Sequence, residues 1–315
     1  MTTHSNPKNE DDRTPKIIGP PSHFWLWTAK TGFDLTHPST LTSTPLTPHL
    51  ALQTSTSPIT ISPSKTALVI IDMQNFFLSR ALRRYGPCHA AEAVLLRTAI
   101  PAARKAGIQV IWLNWGISDG ELAAMSPTML RGFGFEYQGE RLEVPEPGKV
   151  KSMEETWTGR GIGDQMGTLT LEEGGTVDAG RMLMRGQWNT ALHPPLQAAY
   201  DSSLATALPD VVLHKHRVSG AISSSTGLLP FLENNGKHLK TLLFTGVNTD
   251  QCVFGTMQDA NLAGWDTVLL KDGCWTNSPE YASQMAVYNG GKCWGFVSSC
   301  AQLAYGVEVM NGEMS

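Results

Sequence analysis

The chain has 315 residues, of which 41% are hydrophobic and 17% charged, enough apolar material for one large α/β domain or two small ones. A net charge of −4 gives no electrostatic footprint for a nucleic acid. No apolar run reaches the ~20 residues that a membrane-spanning helix needs.

The opening stretch "MTTHSNPKNEDDRTPK" has no apolar core, so it is not expected to act as a secretory signal. Residues 1–65 are rich in Ser, Thr and Pro and read as an extension. The first twenty or so are expected to be disordered, whereas "HFWLWTAKTGFDLT" (23–36) is too aromatic for a free tail and should pack on the domain. Residues 66–315 read as the main domain. Its first apolar run is "TALVIID" (66–72), and "IQVIWLNW" (108–115) follows the helical segment "AAEAVLLRTAIPAARKAG" (90–107), in which Pro101 marks a kink or a second start. Residues 116–190 then break the pattern with Gly, Met and charge, and read as an insertion, either a surface decoration or a lid over substrate. Further apolar runs follow at "DVVLHK" (210–215), "TLLFTGV" (241–247), "DTVLLKD" (266–272) and "WGFVSS" (294–299). Between them lie helical segments at 252–264, stopped by Gly264, and at 278–291, opened by Ser278 and Pro279. Short, continuous, β-branched runs suit parallel strands buried on both faces. Their alternation with helices predicts a three-layer α/β/α sandwich around a mostly parallel sheet of about six strands.

Ligands of such sheets bind beyond the carboxyl ends of the strands. Three chemistry-bearing residues stand there: Asp72 closes one run, Lys215 closes another, and Cys252 follows a third by a few residues. Each has a bland reading as a cap, a solvated cation or a small buried hydrophobe. Together they suggest one Asp–Lys–Cys cluster. A helix N-terminus and a nearby ammonium both favour the thiolate, the reactive form of a cysteine. Free N–H groups at that terminus, the Cys252 amide among them, can receive an oxyanion, and Asp72 can carry the proton. On this reading Cys252 should be the cysteine that alkylates fastest. Asn75, in the turn after Asp72, and Asn114 and Trp115, at the end of the second run, are placed to contact substrate. The five cysteines have no metal-like spacing and suggest reduced thiols in a cytoplasmic setting. His193, His214 and His216 show no ligand spacing either, so neither a metal nor another cofactor is expected.

The blocks "ALVIIDMQNFFL", "VVLHKHRVSGAISSSTGLLPFL" and "LLFTGVNTDQCVFGTMQDANLAGWDTVLLKDGC" resemble the three signature blocks of the isochorismatase-like cysteine hydrolases, in the family's order. The resemblance covers about 66–310 apart from the insertion. It implies a Rossmann-like fold and an Asp72–Lys215–Cys252 catalytic triad. It also implies a cis peptide between Val247 and Asn248, which makes these two residues candidates for substrate or oxyanion contacts. The family's nicotinamidases add an Asp and two His after the second strand. Here "LNWGISDGELAAM" offers Asp119 without a histidine, so no catalytic metal is implied. Because a cysteine stands at the nucleophile position, the implied chemistry is cleavage of a C–N bond in a small amide, imide or ureido compound through a thioester. The alternatives are ether hydrolysis of the isochorismatase kind and a catalytically silent binding protein. The expected partners are a small-molecule substrate and further copies in a homo-oligomer, with no nucleic acid and no membrane.

Overall fold

The structure is a computed structural model that describes residues 15–38, 45–82, 88–133, 160–222 and 227–313. Strands β1 (Lys16–Ile18), β2 (Trp25–Thr28), β3 (Gly32–Asp34), β4 (Leu50–Leu52) and β5 (Ile59–Ile61) form a small five-stranded sheet in the order β1-β2-β3-β5-β4. Lys16–Ile18, inside the stretch expected to be disordered, is instead a strand, because β1 pairs antiparallel with β2. The rest of that expectation, residues 1–14, lies outside the described residues. The apolar faces of β4 and β5 (Leu50, Leu52, Ile59, Ile61) enter the same core as Leu68, Ile70, Leu303 and Val307.

The main sheet is built from β6 (Thr66–Ile71) and β7 (Gln109–Trp115), then, after a hairpin of β8 (Thr168–Thr170) and β9 (Thr176–Asp178), from β10 (Val211–Lys215), β11 (Thr241–Val247), β12 (Asp266–Trp275) and β13 (Phe296–Ser298). Its order is β10-β7-β6-β11-β12-β13 and every pairing is parallel. All six predicted runs are strands of this sheet. The central ones, β6 and β11, are buried along their whole length, which is why they read as unbroken apolar runs rather than as alternating ones. Helices cover both faces, and the two faces carry separate apolar clusters. Gly246 is required near the end of β11: its φ is +109°, and any side chain there would overlap the Ile71 carbonyl on the neighbouring strand.

The helical span after β6 runs from Cys88 to Ala106 and contains a π-turn at Leu95–Ala99. Pro101 cannot donate a backbone hydrogen bond, and the widened turn accommodates that loss without ending the helix. The last helix before β13 starts at Glu280, behind an extended Pro279, rather than at Ser278. Ser278 is engaged elsewhere: its amide donates to Thr276 Oγ1 and its hydroxyl accepts from Gln251.

At the amino end of β12, Asp266 fastens the small sheet to the large one. Its buried carboxylate accepts from Trp25 Nε1 at 2.9 Å and Thr241 Oγ1 at 3.4 Å, and lies 2.6 Å from His37 Nε2 and 3.6 Å from His23 Nε2. Burial pushes the Asp266 pKa up, but His23, His37 and Trp25 together outweigh it, so the pKa lies below the usual carboxylate range. The hydrogen bond to Asp266 raises that of His23. A depressed acid contributes stability above its unfolded pKa, near 4, and loses it as pH falls through the folded value. A raised histidine contributes fully below its unfolded pKa, near 6.5, and loses that contribution as pH rises through the folded value. The fastening is thus strongest between about pH 4 and 6.5. Asp266→Ala should cost about 3 kcal/mol, because it strands the indole N–H and a histidine. Its difference from the parent chain in urea unfolding should shrink at pH 3.

Candidate active site

The carboxyl ends of β6, β10 and β11 bring the three expected residues together. Asp72 follows β6 in a left-handed conformation, φ +56°, and is fully buried. An Asp tolerates that conformation better than most side chains do. Lys215 is the last residue of β10 and is also fully buried, its ammonium 2.9 Å from Asp72 Oδ2 and 3.4 Å from Cys252 Sγ. It donates as well to the Arg217 carbonyl at 3.1 Å and lies 3.9 Å from the centre of the Trp115 ring. The cation is therefore held by a carboxylate, a carbonyl and an aromatic face, the kind of partners a buried charge requires.

Cys252 lies in a π-helical turn, Thr249–Val253, that runs directly into the helix Phe254–Leu262. The amides of Gln251 and Val253 both turn back to the Asn248 carbonyl, at 3.1 and 3.2 Å, and the Cys252 amide stands between them. The Val247–Asn248 peptide bond is cis, as the resemblance implied.

The electrostatics correct one expectation. Burial pushes the Cys252 thiol up to about 12. Lys215 and a hydrogen bond from Trp115 pull it down, Asp72 pushes it further up, and burial wins. Burial likewise raises Asp72 above the usual carboxylate range despite the Lys215 ammonium. Burial thus favours the protonated thiol over the thiolate in the resting site. The expectation of fastest alkylation at Cys252 changes with it. Cys293 is exposed, whereas Cys88, Cys252 and Cys300 are buried. Iodoacetamide at pH 7.5 should label Cys293 first, read by peptide mass spectrometry, and Cys252 only after prolonged exposure.

The other sequence candidates divide. Trp115 is fully buried, with its ring against the Lys215 ammonium beside Cys252, so it stands at the site. Asn114 is buried on the opposite side of the sheet. Side chains alternate along a strand, and Asn114 therefore shares the face of Trp112, not that of Trp115. Asn75 spends its amide N–H on the Trp188 carbonyl at 2.9 Å and its backbone N–H on Ala191, so it holds a loop, while its Oδ1 has no described partner. Val247 is core. The Asn248 side chain reaches Gln251 and the Asn277 amide, which leaves its backbone as the part able to serve the site.

Two residues were not foreseen. Gln74, fully buried, accepts from the Trp115 amide and donates to the carbonyls of Trp115 and Thr190, pinning the strand end beside Asp72. Its position two residues after Asp72 in the βα turn was the available signal. Glu121 caps its own helix through Ser118 and lies 3.3 Å from His216 and 3.6 Å from Arg185. Nothing in the sequence pairs those residues. Within the described part of the insertion, Ile117, Met125, Ile162, Met166, Leu183 and Met184 share one apolar cluster with Trp115, Cys252 and Phe254.

The chain is 30% identical over 264 residues to "Ureidoacrylate amidohydrolase RutB" of Stutzerimonas stutzeri (strain A1501), which covers 80% of this chain and 88% of that protein. It is 29% identical to the protein of the same name from Enterobacter sp. (strain 638), over 77% of this chain and 89% of the relative. The Isochorismatase domain matches residues 173–302, a span that includes Lys215 and Cys252. The chain belongs to the isochorismatase-like cysteine hydrolase family. It is an enzyme, a hydrolase of the amidohydrolase type. In fold it is similar to a cysteine hydrolase from Pseudomonas syringae pv. phaseolicola 1448A, with a TM-score of 0.53 at 18% identity over 84% of this chain and all of the other.

Proposed function

We propose that the protein hydrolyses a C–N bond of a small ureido acid, with Cys252 as nucleophile, Asp72 as proton carrier and Lys215 as the cation that holds both. The observation that carries this is the buried contact chain from Asp72 Oδ2 to Lys215 Nζ, 2.9 Å, and on to Cys252 Sγ, 3.4 Å. With the thiol near 12 and Asp72 raised, the thiolate need not exist beforehand. Its proton passes to Asp72 as sulfur attacks the carbonyl carbon, and the oxyanion takes the Cys252 amide N–H. Protonated Asp72 then gives its proton to the leaving nitrogen, and a thioester remains. Asp72 next deprotonates water, which attacks the thioester and returns the thiol. No step needs a metal ion, so turnover should survive exhaustive chelation.

The ureido preference rests on the ureidoacrylate amidohydrolases to which the chain is similar. Residues 66–315 are proposed as the hydrolase unit and 116–190 as the cover that sets substrate size. The packing of Ile117 and Met184 against the Trp115 side of the site supports this. Ammonia release should be followed across ureidoacrylate, N-carbamoyl amino acids and simple carboxamides. Ureido acids should exceed carboxamides at least tenfold in kcat/KM, and shortening 134–159 should reorder those rates. Ammonia from none of them would sink the reading, and unchanged relative rates would sink the role of the cover.

A homo-oligomer in the cytoplasm completes the proposal. Tyr281, Met285 and Tyr288 recur at i, i+4 and i+7 and leave an exposed stripe on the helix Glu280–Lys292. Sedimentation at micromolar concentration that shows monomers alone would contradict it. Among the described residues no helix is long and apolar enough to cross a membrane.

A further inference from the structure

Away from the Asp72–Lys215–Cys252 cluster, the described residues hold a second group of ligating side chains. His89 and Glu92 stand three apart on the helix Cys88–Val94, and His193 precedes the helix Pro194–Ser203. Glu92, almost wholly buried, has one oxygen 2.6 Å from His193 Nδ1 and the other 3.3 Å from His89 Nδ1. The two rings meet nearly edge to face with centres 5.5 Å apart. One ligand atom from each of the three residues lies within 4.8 Å of the other two. The group borders a cavity of about 270 Å³, whose walls also include Asn75, Arg80 and Glu172. The second nitrogen of His89, Nε2, is buried with no partner among the described residues. His193 showed no ligand spacing in the sequence because its partner Glu92 lies 101 residues away.

We propose that His89, Glu92 and His193 form a site for one divalent transition-metal ion of the zinc class. Two imidazoles and a carboxylate are a nitrogen–oxygen donor set suited to such an ion, and the cavity leaves room for water in a fourth position. A buried carboxylate needs a compensating charge, and a divalent cation supplies one. Metal–ligand bonds of about 2.0–2.1 Å in a tetrahedral arrangement separate the ligands by ~3.3 Å, so the His193 contact opens only slightly as the ion enters. The role follows from what His193 holds. Its amide donates to the Met73 carbonyl, next to Asp72, and Asn75 N–H donates to Ala191. The ion would therefore bind the helix Cys88–Val94 to the segment that abuts the Asp72 turn, a brace rather than a reagent. His23, His37 and Asp266 offer the same residue types. That carboxylate, however, already receives Trp25, His37 and Thr241, so fewer of its lone pairs are free for a cation.

The test is titration of the metal-stripped full chain with Zn²⁺ by calorimetry, beside thermal unfolding. One ion per chain, a Kd of micromolar or tighter and a rise of several degrees in Tm are expected. His89→Gln, His193→Gln and Glu92→Gln should each weaken binding more than tenfold, and His37→Gln should not. The Tm of each metal-free variant shows whether it folds, and His89→Gln, at a half-buried position, carries the test if the other two do not. X-ray absorption at the zinc edge should show imidazole and oxygen and no sulfur. Absence of saturable binding, binding unchanged in His89→Gln, or sulfur ligation would each overturn the proposal.

Discussion

Cys252→Ala is expected to lower the rate of hydrolysis by on the order of 10⁴-fold or more, as loss of a covalent nucleophile does. The fold should survive, since trimming one sulfur from a well-packed position costs about 1 kcal/mol. Circular dichroism and a urea midpoint close to that of the parent chain establish that. What the substitution removes is the atom 3.4 Å from the Lys215 ammonium, on which the acyl group would reside. With a slowly deacylating ureido or amide substrate quenched in acid, the parent chain should carry an acyl mass on the Cys252 peptide alone. Cys88, Cys274, Cys293 and Cys300 should remain unmodified by substrate. Acylation of any of these four, or turnover by Cys252→Ala within tenfold of the parent, would exclude the mechanism while leaving the fold untouched.

Lys215→Met should produce the largest loss of stability, about 3–5 kcal/mol, together with loss of turnover. The side chains are close in length, so packing changes little. The ammonium, however, is what stabilises a fully buried Asp72 carboxylate 2.9 Å away, and without it that charge is stranded. Asp72→Asn in the same chain should return most of the loss, because asparagine removes the charge and tolerates the left-handed backbone that Asp72 adopts at φ +56°. The coupling is read from a double-mutant cycle in guanidinium chloride at constant m-value. All three variants should be inactive. A single-variant cost under about 1 kcal/mol would mean that water screens the pair, contrary to its burial.

The six strands of the main sheet and the identity of the Asp, Lys and Cys were legible because both are local signals. A strand buried on both faces writes an unbroken apolar run, and a strand's carboxyl end is fixed by where that run stops. The cis bond at Val247–Asn248 came with the family resemblance. Other features depend on which atoms approach across the chain. Asn114 and Trp115 are neighbours in sequence and both polar-tipped, but the strand's alternation sends only Trp115 to the site. A helix N-terminus and a lysine suggested an acidified thiol. The depth of burial, which no local pattern reports, reverses the sign and leaves the thiol near 12. The insertion read as loop from its glycines, although Ile117, Ile162, Met166 and Leu183 lie in the core, because isolated apolar residues among turns have no period to reveal a buried face. Gln74 became a strut only when β6 brought it against the Trp115 backbone, and Glu92 a shared partner only when the fold set His193 beside it. The sequence by itself determined the order of the elements, the residues at the ends of the main strands and the residue types available for chemistry. The tertiary structure decided which of those residues meet, which face each presents and which protons they hold, because distance, burial and local field are properties of the packed chain.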